Sequence, residues 1–219
     1  MSHESYIVSY FHGTSGSFIA HLLWLMINDI DEAIPITHKN SVHPFYSPWN
    51  DTWTHPEYND PECANSKNIF KGLQFKKKGI VMTHTYPDFD LIDKSLPDTK
   101  IILITFGPSS FNEIAYNCVT KTDSGKTIDY LESAFNNLYN LKDYSMVDQF
   151  YSFCDTSLVP EDLTNKILML EYTDIYQKTA TSYVAIEKLS KLTGKSILPK
   201  TLDSYNQYVK TRNEFYGTN

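Results

Sequence analysis

A short loop of glycine and hydroxyl residues separates the first apolar run of the chain from a strongly apolar segment with a helical pattern. The loop runs from His12 to Ser17, and the candidate binding residues are Gly13, Thr14, Ser15, Gly16 and Ser17, together with Phe18 directly after it. A strand that turns into a helix in this way directs several backbone N–H groups at one point, where the helix dipole adds partial positive charge. The loop therefore predicts a binding site for a phosphate or sulfate group. The alternative is a simple helix N-cap formed by Ser15 or Thr14.

A histidine follows a second apolar run, in the segment Val81-Met-Thr-His-Thr-Tyr-Pro87. Ligands of open α/β sheets collect at the carboxyl ends of the strands, where His84 is expected to lie. Because histidine titrates near neutral pH, His84 is a candidate general base. The alternative is a structural histidine held by hydrogen bonds. If the first two strands are neighbours, the base and the anion loop converge on one crevice.

The third apolar run ends in Thr105-Phe-Gly-Pro-Ser-Ser110, and a helical pattern follows it. Pro108 near a helix start, with Ser109 or Ser110 as the cap, is typical of an ordinary helix N-terminus. The same geometry presents a second set of N–H groups, and Ser110 is therefore a second candidate for binding a phosphate.

Two familiar loop motifs are excluded by spacing. Gly13 and Gly16 lie too close together for the Walker pattern of nucleotide-binding loops, and no lysine follows them. The second glycine also falls one residue early for a hydrolase nucleophile elbow. No metal site is expected, because the possible ligands match no compact ligand spacing. Those ligands are His38, His43, His55 and Cys63.

The elements that must position these residues alternate between strand and helix patterns. Apolar β-type runs occupy residues 6–11, 79–85, 100–106 and 166–172. Helical patterns occupy residues 15–28, 110–119, 127–141, 174–192 and 202–216. The third and fourth runs are almost continuously apolar, which is typical of strands that are buried on both faces in a parallel sheet. The pattern predicts a doubly wound α/β fold.

The 219 residues have an ordinary globular composition and are enough for one large α/β domain or two small ones. Because no internal repeat or domain linker is visible, a single domain is predicted. Residues 30–78 are rich in proline, asparagine and aromatic side chains, and are predicted to form an irregular lid or a surface excursion packed on its own aromatics. The net charge of −7 argues against a nucleic-acid partner. Three widely spaced cysteines, together with the lack of a long apolar span, favour a cytoplasmic protein without a membrane segment.

Taken in order, these segments resemble the sulfotransferase family. The loop Gly13-Thr14-Ser15-Gly16-Ser17-Phe18 is similar to the family's Pro-Lys-[Ser/Thr]-Gly-Thr-Thr-type turn, which binds the 5′-phosphosulfate. Thr83-His84, followed by Pro87, is similar to the Thr-His-x-Pro segment that carries the catalytic base. The run from Lys100 to Pro108 resembles the strand that ends in Arg-[Asn/Asp]-Pro and binds the 3′-phosphate. Ile167-Leu-Met-Leu-Glu-Tyr-Thr-Asp174 resembles the family's Tyr-Glu-Asp-Leu segment.

The resemblance implies a three-layer α/β/α fold of the P-loop NTPase-like sulfotransferase type. It implies transfer of a sulfuryl group from 3′-phosphoadenosine 5′-phosphosulfate to a hydroxyl or amine of a small-molecule or glycan acceptor, without a metal. His84 would be the base, and residues 30–78 would shape the acceptor pocket. The donor contacts would be Gly13, Thr14, Ser15, Gly16, Ser17, Phe18, Ser110 and Arg212.

The chain departs from the family pattern at three positions. The family's loop lysine falls at Thr14, its 3′-phosphate arginine at Phe106, and its 3′-phosphate serine at Ile114. A degenerate donor site or a non-enzymatic descendant that binds an anion or a partner is therefore also consistent with the sequence. Another P-loop-like kinase or hydrolase is a weaker alternative, because the Walker lysine is missing.

Overall fold

The computed structural model describes residues 5–11, 13–34, 79–107, 110, 113–114 and 146–216. Within them, four strands form one parallel sheet in the order β2-β1-β3-β4. The strands are β1 (Ser5–Tyr10), β2 (Ile80–Thr83), β3 (Thr99–Thr105) and β4 (Ile167–Glu171). Each lies within two residues of the run predicted from sequence, and the predicted parallel α/β sheet is confirmed.

Five helices accompany the sheet in the part of the chain that is described. They are α1 (Gly16–Ile27), α2 (Phe89–Ser95), α3 (Met146–Cys154), α4 (Val184–Thr193) and α5 (Pro199–Tyr216). Local chemistry sets two of their ends. The Asp88 carboxylate accepts a hydrogen bond from the Leu91 N–H at 3.0 Å and so caps α2. Helix α4 ends at Gly194, whose φ of 66° suits a residue without a β-carbon.

The strand order places a topological switch point between β1 and β3. The chain leaves β1 towards β2 on one side and then returns to β3 on the other side, so β1 pairs with both. Crossovers in parallel sheets are right-handed as a rule, which predicts α1 and α2 on opposite faces of this sheet. Because all pairings are parallel, the carboxyl ends of β1, β2 and β3 meet at one edge, where such folds bind ligands.

The core is built from both faces of this sheet. Strand β1 is almost wholly buried, and so is α1, which packs on β1 and β2. A helix that is apolar on all sides belongs in an interior, which explains the run of ten buried residues among the twelve of α1. No helix among the described residues is long and apolar enough to span a membrane.

The predicted helix at 174–192 is wrong over its first half. A 3₁₀ turn covers Tyr172–Ile175, and α4 begins only at Val184. Between them, the Thr179 hydroxyl donates to the Ser182 carbonyl at 2.7 Å and accepts from the Ser182 N–H at 3.0 Å. Such side-chain bonds to the local backbone compete with helix formation. An antiparallel bridge between Lys178 and Tyr183 closes the turn.

Other predicted elements have different outcomes. The C-terminal helix predicted at 202–216 is confirmed and begins three residues earlier, at Pro199. The predicted helix at 127–141 and most of the segments at 30–78 and 110–119 lie outside the described residues. The prediction of a single domain with a lid at 30–78 therefore stays a prediction.

Candidate functional site

The turn between β1 and α1 folds through two left-handed residues. Gly13 has a φ of 80° and Ser15 a φ of 65°. The Thr14 N–H and the Thr14 hydroxyl both donate to the Phe11 carbonyl, at 3.2 and 2.6 Å. Thr14 is fully buried, so its side chain closes the turn rather than facing outward. This position, where the resemblance places a lysine, therefore serves the backbone of the loop.

Several backbone N–H groups at the start of α1 are left open by this turn. Ser15 occupies the N-cap position, but its side chain makes no capping hydrogen bond. The N–H groups of Phe18 and Ile19 donate to the Ser15 carbonyl, each at 3.1 Å. The N–H groups of Ser15, Gly16 and Ser17 have no acceptor among the described residues. These three donors, at the positive end of the α1 dipole, form the type of surface that binds an anion.

The Ser15 hydroxyl is bound by two tyrosines instead. It lies 2.5 Å from the Tyr176 hydroxyl and accepts a hydrogen bond from the Tyr208 hydroxyl at 2.7 Å. Tyr176 follows the 3₁₀ turn after β4, and Tyr208 lies on α5, so segments distant in sequence converge on the loop. Burial raises the pKa of both phenols, and they therefore stay protonated and neutral.

Tyr10 joins the loop to the candidate base. An ideal β-carbon on Gly16 would lie 2.0 to 2.3 Å from carbons of the Tyr10 ring, so this glycine is required by packing. The Tyr10 hydroxyl is bonded to the Ser17 hydroxyl at 2.9 Å. The His84 ring meets the Tyr10 ring edge-on, with centroids 4.5 Å apart. His84 and the start of α1 therefore contact the same aromatic side chain.

The imidazole of His84 has a defined orientation. Its Nδ1 lies 3.3 Å from the Tyr10 carbonyl oxygen. A carbonyl can only accept, so Nδ1 carries the hydrogen in this contact and Nε2 is the basic nitrogen of the neutral ring. The turn below is fixed because the Ser9 hydroxyl donates to the Thr85 carbonyl at 2.7 Å. The predicted proximity of the base and the anion loop is thus present, because β1 and β2 are adjacent in the sheet.

We call the residues that directly follow a strand its exit, and the exit of β3 is apolar. Phe106 is buried, and its ring lies 5.5 Å from that of Phe11, 5.2 Å from that of Phe150 and 6.5 Å from that of Phe153. Ile114 is fully buried as well. The positions at which the resemblance places a phosphate-binding arginine and serine are therefore part of the core.

Ser110 lies in the turn after β3. Its N–H donates to the Gly107 carbonyl at 3.0 Å. The described contacts of Ser110 are those of its own turn, and they do not extend to the loop between β1 and α1. The role of Ser110 as a phosphate contact therefore stays a prediction.

Arg212 reaches the loop indirectly. Its guanidinium forms an ion pair with Glu113 and lies 3.9 Å from the centre of the Tyr176 ring, in a cation–π contact. Glu113 also accepts a hydrogen bond from the Tyr172 hydroxyl at 2.7 Å. Arg212 therefore supports Tyr176, which in turn contacts Ser15.

Sequence reasoning brought the loop and His84 together but missed Tyr10, Tyr176 and Tyr208. A usable signal exists for Tyr208, because Tyr205, Tyr208 and Arg212 follow one another at helical spacing on one face of α5. No comparable signal marks Tyr176. Among the described residues, no group of three or more histidine, cysteine or acidic side chains is arranged to hold a metal. The possible ligands noted in the sequence lie outside those residues.

No protein-family model matches the chain, and no curated protein matches its sequence. Among solved structures, it is similar to retinol dehydratase in a complex with retinol and PAP, at 15% identity and a TM-score of 0.39. It is similar to retinol dehydratase in complex with androsterone and inactive cofactor PAP, at 16% identity and a TM-score of 0.37. These matches cover 98% and 94% of this chain but only 65% and 63% of the dehydratase chains.

A third similar structure is a sulfotransferase from Alicyclobacillus acidocaldarius. The identity is 11% and the TM-score 0.40, and the match covers 100% of this chain and 98% of that one. This chain therefore spans nearly the whole bacterial protein, but less than two thirds of the retinol dehydratase chains.

Proposed function

We propose that this chain is a sulfotransferase-like protein that transfers a sulfuryl group from 3′-phosphoadenosine 5′-phosphosulfate to a hydroxyl or amine of a small-molecule or glycan acceptor. One observation carries the proposal. The open N–H groups of Ser15, Gly16 and Ser17 and the imidazole of His84 flank Tyr10 at the carboxyl ends of neighbouring strands. An anion cradle beside an oriented base is the arrangement that this transfer requires.

The chemistry follows from positioning and fixed dipoles. The residues from Gly13 to Phe18 hold the phosphosulfate end, where the open N–H groups stabilise charge on the oxygens as the acceptor oxygen or nitrogen attacks sulfur in line. The bond from sulfur to the 5′-phosphate breaks, and the nucleotide leaves as the 3′,5′-bisphosphate. His84 accepts the acceptor proton at Nε2 while Nδ1 stays bonded to the Tyr10 carbonyl.

Donor affinity is expected to be low. The apolar side chains of Phe106 and Ile114 provide no charge for the 3′-phosphate. A hydrogen bond to a charged group contributes about 1.5–3 kcal/mol, so losing two weakens binding by roughly two to four orders of magnitude. Ser110 and Arg212 stay proposed contacts for the remainder of the nucleotide.

The test combines binding with turnover. Millimolar 3′,5′-adenosine bisphosphate should raise the melting temperature of the wild type and of His84→Gln alike, since His84 does not hold the donor. A panel of phenols, sterols and sugars with radiolabelled donor should give sulfated product only with the wild type. Glutamine keeps an N–H donor for the Tyr10 carbonyl but removes the base. The absence of both a thermal shift and a product would contradict the proposal.

A second candidate function is favoured by the aromatic packing of Phe106. In this version, the chain is a non-enzymatic descendant that binds an anion or partner at the same loop. It predicts stabilisation by the nucleotide or by sulfate without product from any acceptor. It also predicts that His84→Gln leaves every binding measurement unchanged.

A further inference from the structure

We propose that Tyr176 and Tyr208 are positioning residues that hold Ser15 in its left-handed conformation, in which its hydroxyl does not cap α1, and so keep the first N–H groups of that helix open for the donor. The inference rests on the proposed function of the loop. It assigns to two tyrosines outside the loop the control of the loop's affinity for an anion. Neither residue touches the reacting atoms, and both act through Ser15.

The argument begins with what a serine at this position normally does. An N-cap serine accepts a hydrogen bond from the N–H of the second or third helical residue, which here are Ser17 and Phe18. A capping serine has an extended backbone, whereas Ser15 is left-handed, with a φ of 65°, and its side chain makes no such bond. Its hydroxyl accepts from Tyr208 and is bonded to Tyr176, and these two bonds offset the cost of the left-handed backbone. A self-capped helix would offer fewer N–H groups to a ligand.

The two phenols are themselves held in place. The Tyr208 ring stacks on Phe18, with centroids 3.8 Å apart and an angle of 11° between planes. The Tyr176 ring lies against the Arg212 guanidinium, which is fixed by its ion pair with Glu113. Because aromatic packing rather than the hydroxyl fixes each ring, a phenylalanine at either position should keep the ring and lose only the bond to Ser15.

Tyr205 provides a matched control on the same helix. It is fully buried, its ring packs on that of Phe18 at 5.2 Å, and its hydroxyl donates to the Ile175 carbonyl. Its hydroxyl makes no bond to Ser15. Tyr205→Phe therefore removes a buried tyrosine hydroxyl of similar surroundings without freeing the serine.

The first measurement is donor affinity. Tyr208→Phe and Tyr176→Phe should each weaken binding of 3′,5′-adenosine bisphosphate by about five- to tenfold, the equivalent of one net hydrogen bond. In turnover, KM for the donor should rise by a similar factor with kcat within about twofold. Tyr205→Phe should bind the nucleotide as the wild type does, although it melts at a lower temperature.

The Ser15→Ala background separates positioning from general damage. Alanine cannot cap the helix, so the tyrosine substitutions should change affinity by less than about twofold in that background. If the tyrosine substitutions weakened nucleotide binding equally in the wild-type and Ser15→Ala backgrounds, the inference would be overturned. Equal losses in Tyr205→Phe would overturn it too.

Amide hydrogen exchange in the ligand-free protein distinguishes this inference from the proposed function. In the Tyr176→Phe/Tyr208→Phe double variant, Ser15 is released to an extended backbone and should cap α1, which slows exchange of the Ser17 amide by about fivefold or more relative to Tyr205→Phe. Unchanged exchange would overturn the inference. Slowed exchange in a protein whose wild type does not bind the nucleotide would support the tyrosine–serine contact and contradict the proposed donor. Slowed exchange with weakened nucleotide binding supports both.

Discussion

The exits of β1 and β3 lie side by side at one edge of the sheet and have opposite chemistry. After β1, the chain forms a polar turn whose hydroxyls bond to Phe11, Tyr176, Tyr208 and Tyr10, while three N–H groups have no acceptor in the part of the chain that the structure describes. After β3, Phe106 packs into a cluster of phenylalanines. The resemblance assigns the two exits to the two ends of one nucleotide.

The difference teaches that two neighbouring strand exits at one edge of a sheet can offer a ligand very different means of binding. The β1 exit provides partial charges from the backbone, which do not depend on side-chain identity. At the β3 exit, charge for a ligand would have to come from side chains, and Phe106 and Ile114 are apolar and buried. On the proposed function, binding of the sulfate-bearing end of the donor should therefore be stronger than binding of its 3′-phosphate.

The largest expected effect tests the aromatic exit. Phe106→Ala should lower the free energy of unfolding by about 4 kcal/mol, because it leaves a cavity among three packed rings. Urea titration followed by fluorescence measures the loss, and nucleotide affinity should stay within about twofold at a temperature where the variant is folded. A loss of affinity as large as that expected for Tyr208→Phe would contradict the comparison, because it would make the phenylalanine cluster part of the binding site.

An intermediate effect tests the polar exit through its glycine. Gly16→Ala should cost about 3 kcal/mol, because its β-carbon would displace the Tyr10 ring and with it the His84 contact. Gly194→Ala is the matched control: it has φ +66° with no atom within 4 Å of the added carbon, so it should cost only about 1 kcal/mol in backbone strain. Unfolding titrations of both variants give the difference. Equal costs would show that Tyr10 moves freely and does not fix the geometry of the exit.

The smallest effect concerns pH. Burial lowers the pKa of His21 on α1 from 6.5 to about 4, so the unfolded chain binds the proton more tightly than the folded one. Stability from the neutral ring is present above pH 6.5 and is lost as the pH falls towards 4. At pH 5 the wild type should lose about 2 kcal/mol more than His21→Phe, relative to pH 7. The phenylalanine cluster cannot titrate, so an equal pH dependence of wild type and variant would show that the helix after β1 adds no titrating group to the core.

The strands were predictable because buried parallel strands are uninterrupted apolar runs of limited length. The helix predicted at 174–192 could not be placed correctly in this way. The apolar spacing of α4 extends to residues before Val184, but the backbone of those residues is not α-helical. Between Gln177 and Val184 the Thr179 hydroxyl and a β-bridge set the backbone, and the Val184 N–H donates to the Gln177 carbonyl at 3.0 Å. Whether such side-chain and bridge hydrogen bonds replace helical ones depends on the folded backbone, which the spacing of apolar residues does not reveal.

The site was predictable where it depends on adjacency along the chain or between neighbouring strands. The loop and His84 belong to this class. The tyrosines that hold Ser15 lie 161 and 193 residues away, so no local spacing links them to it. The role of the Thr14 side chain could not be predicted either, because its hydrogen bond to the Phe11 carbonyl exists only in the folded turn.

The bond from Tyr208 to Ser15 also has a consequence for biosynthesis. Because 193 residues separate the two, a ribosome adding about 5–20 residues per second needs roughly 10–40 s between them. During that interval, β1 and α1 can already pair with β2, whereas the hydroxyl that holds the serine does not yet exist. A sheet that forms in this interval would contain an immature loop, which only the docking of α5 could complete.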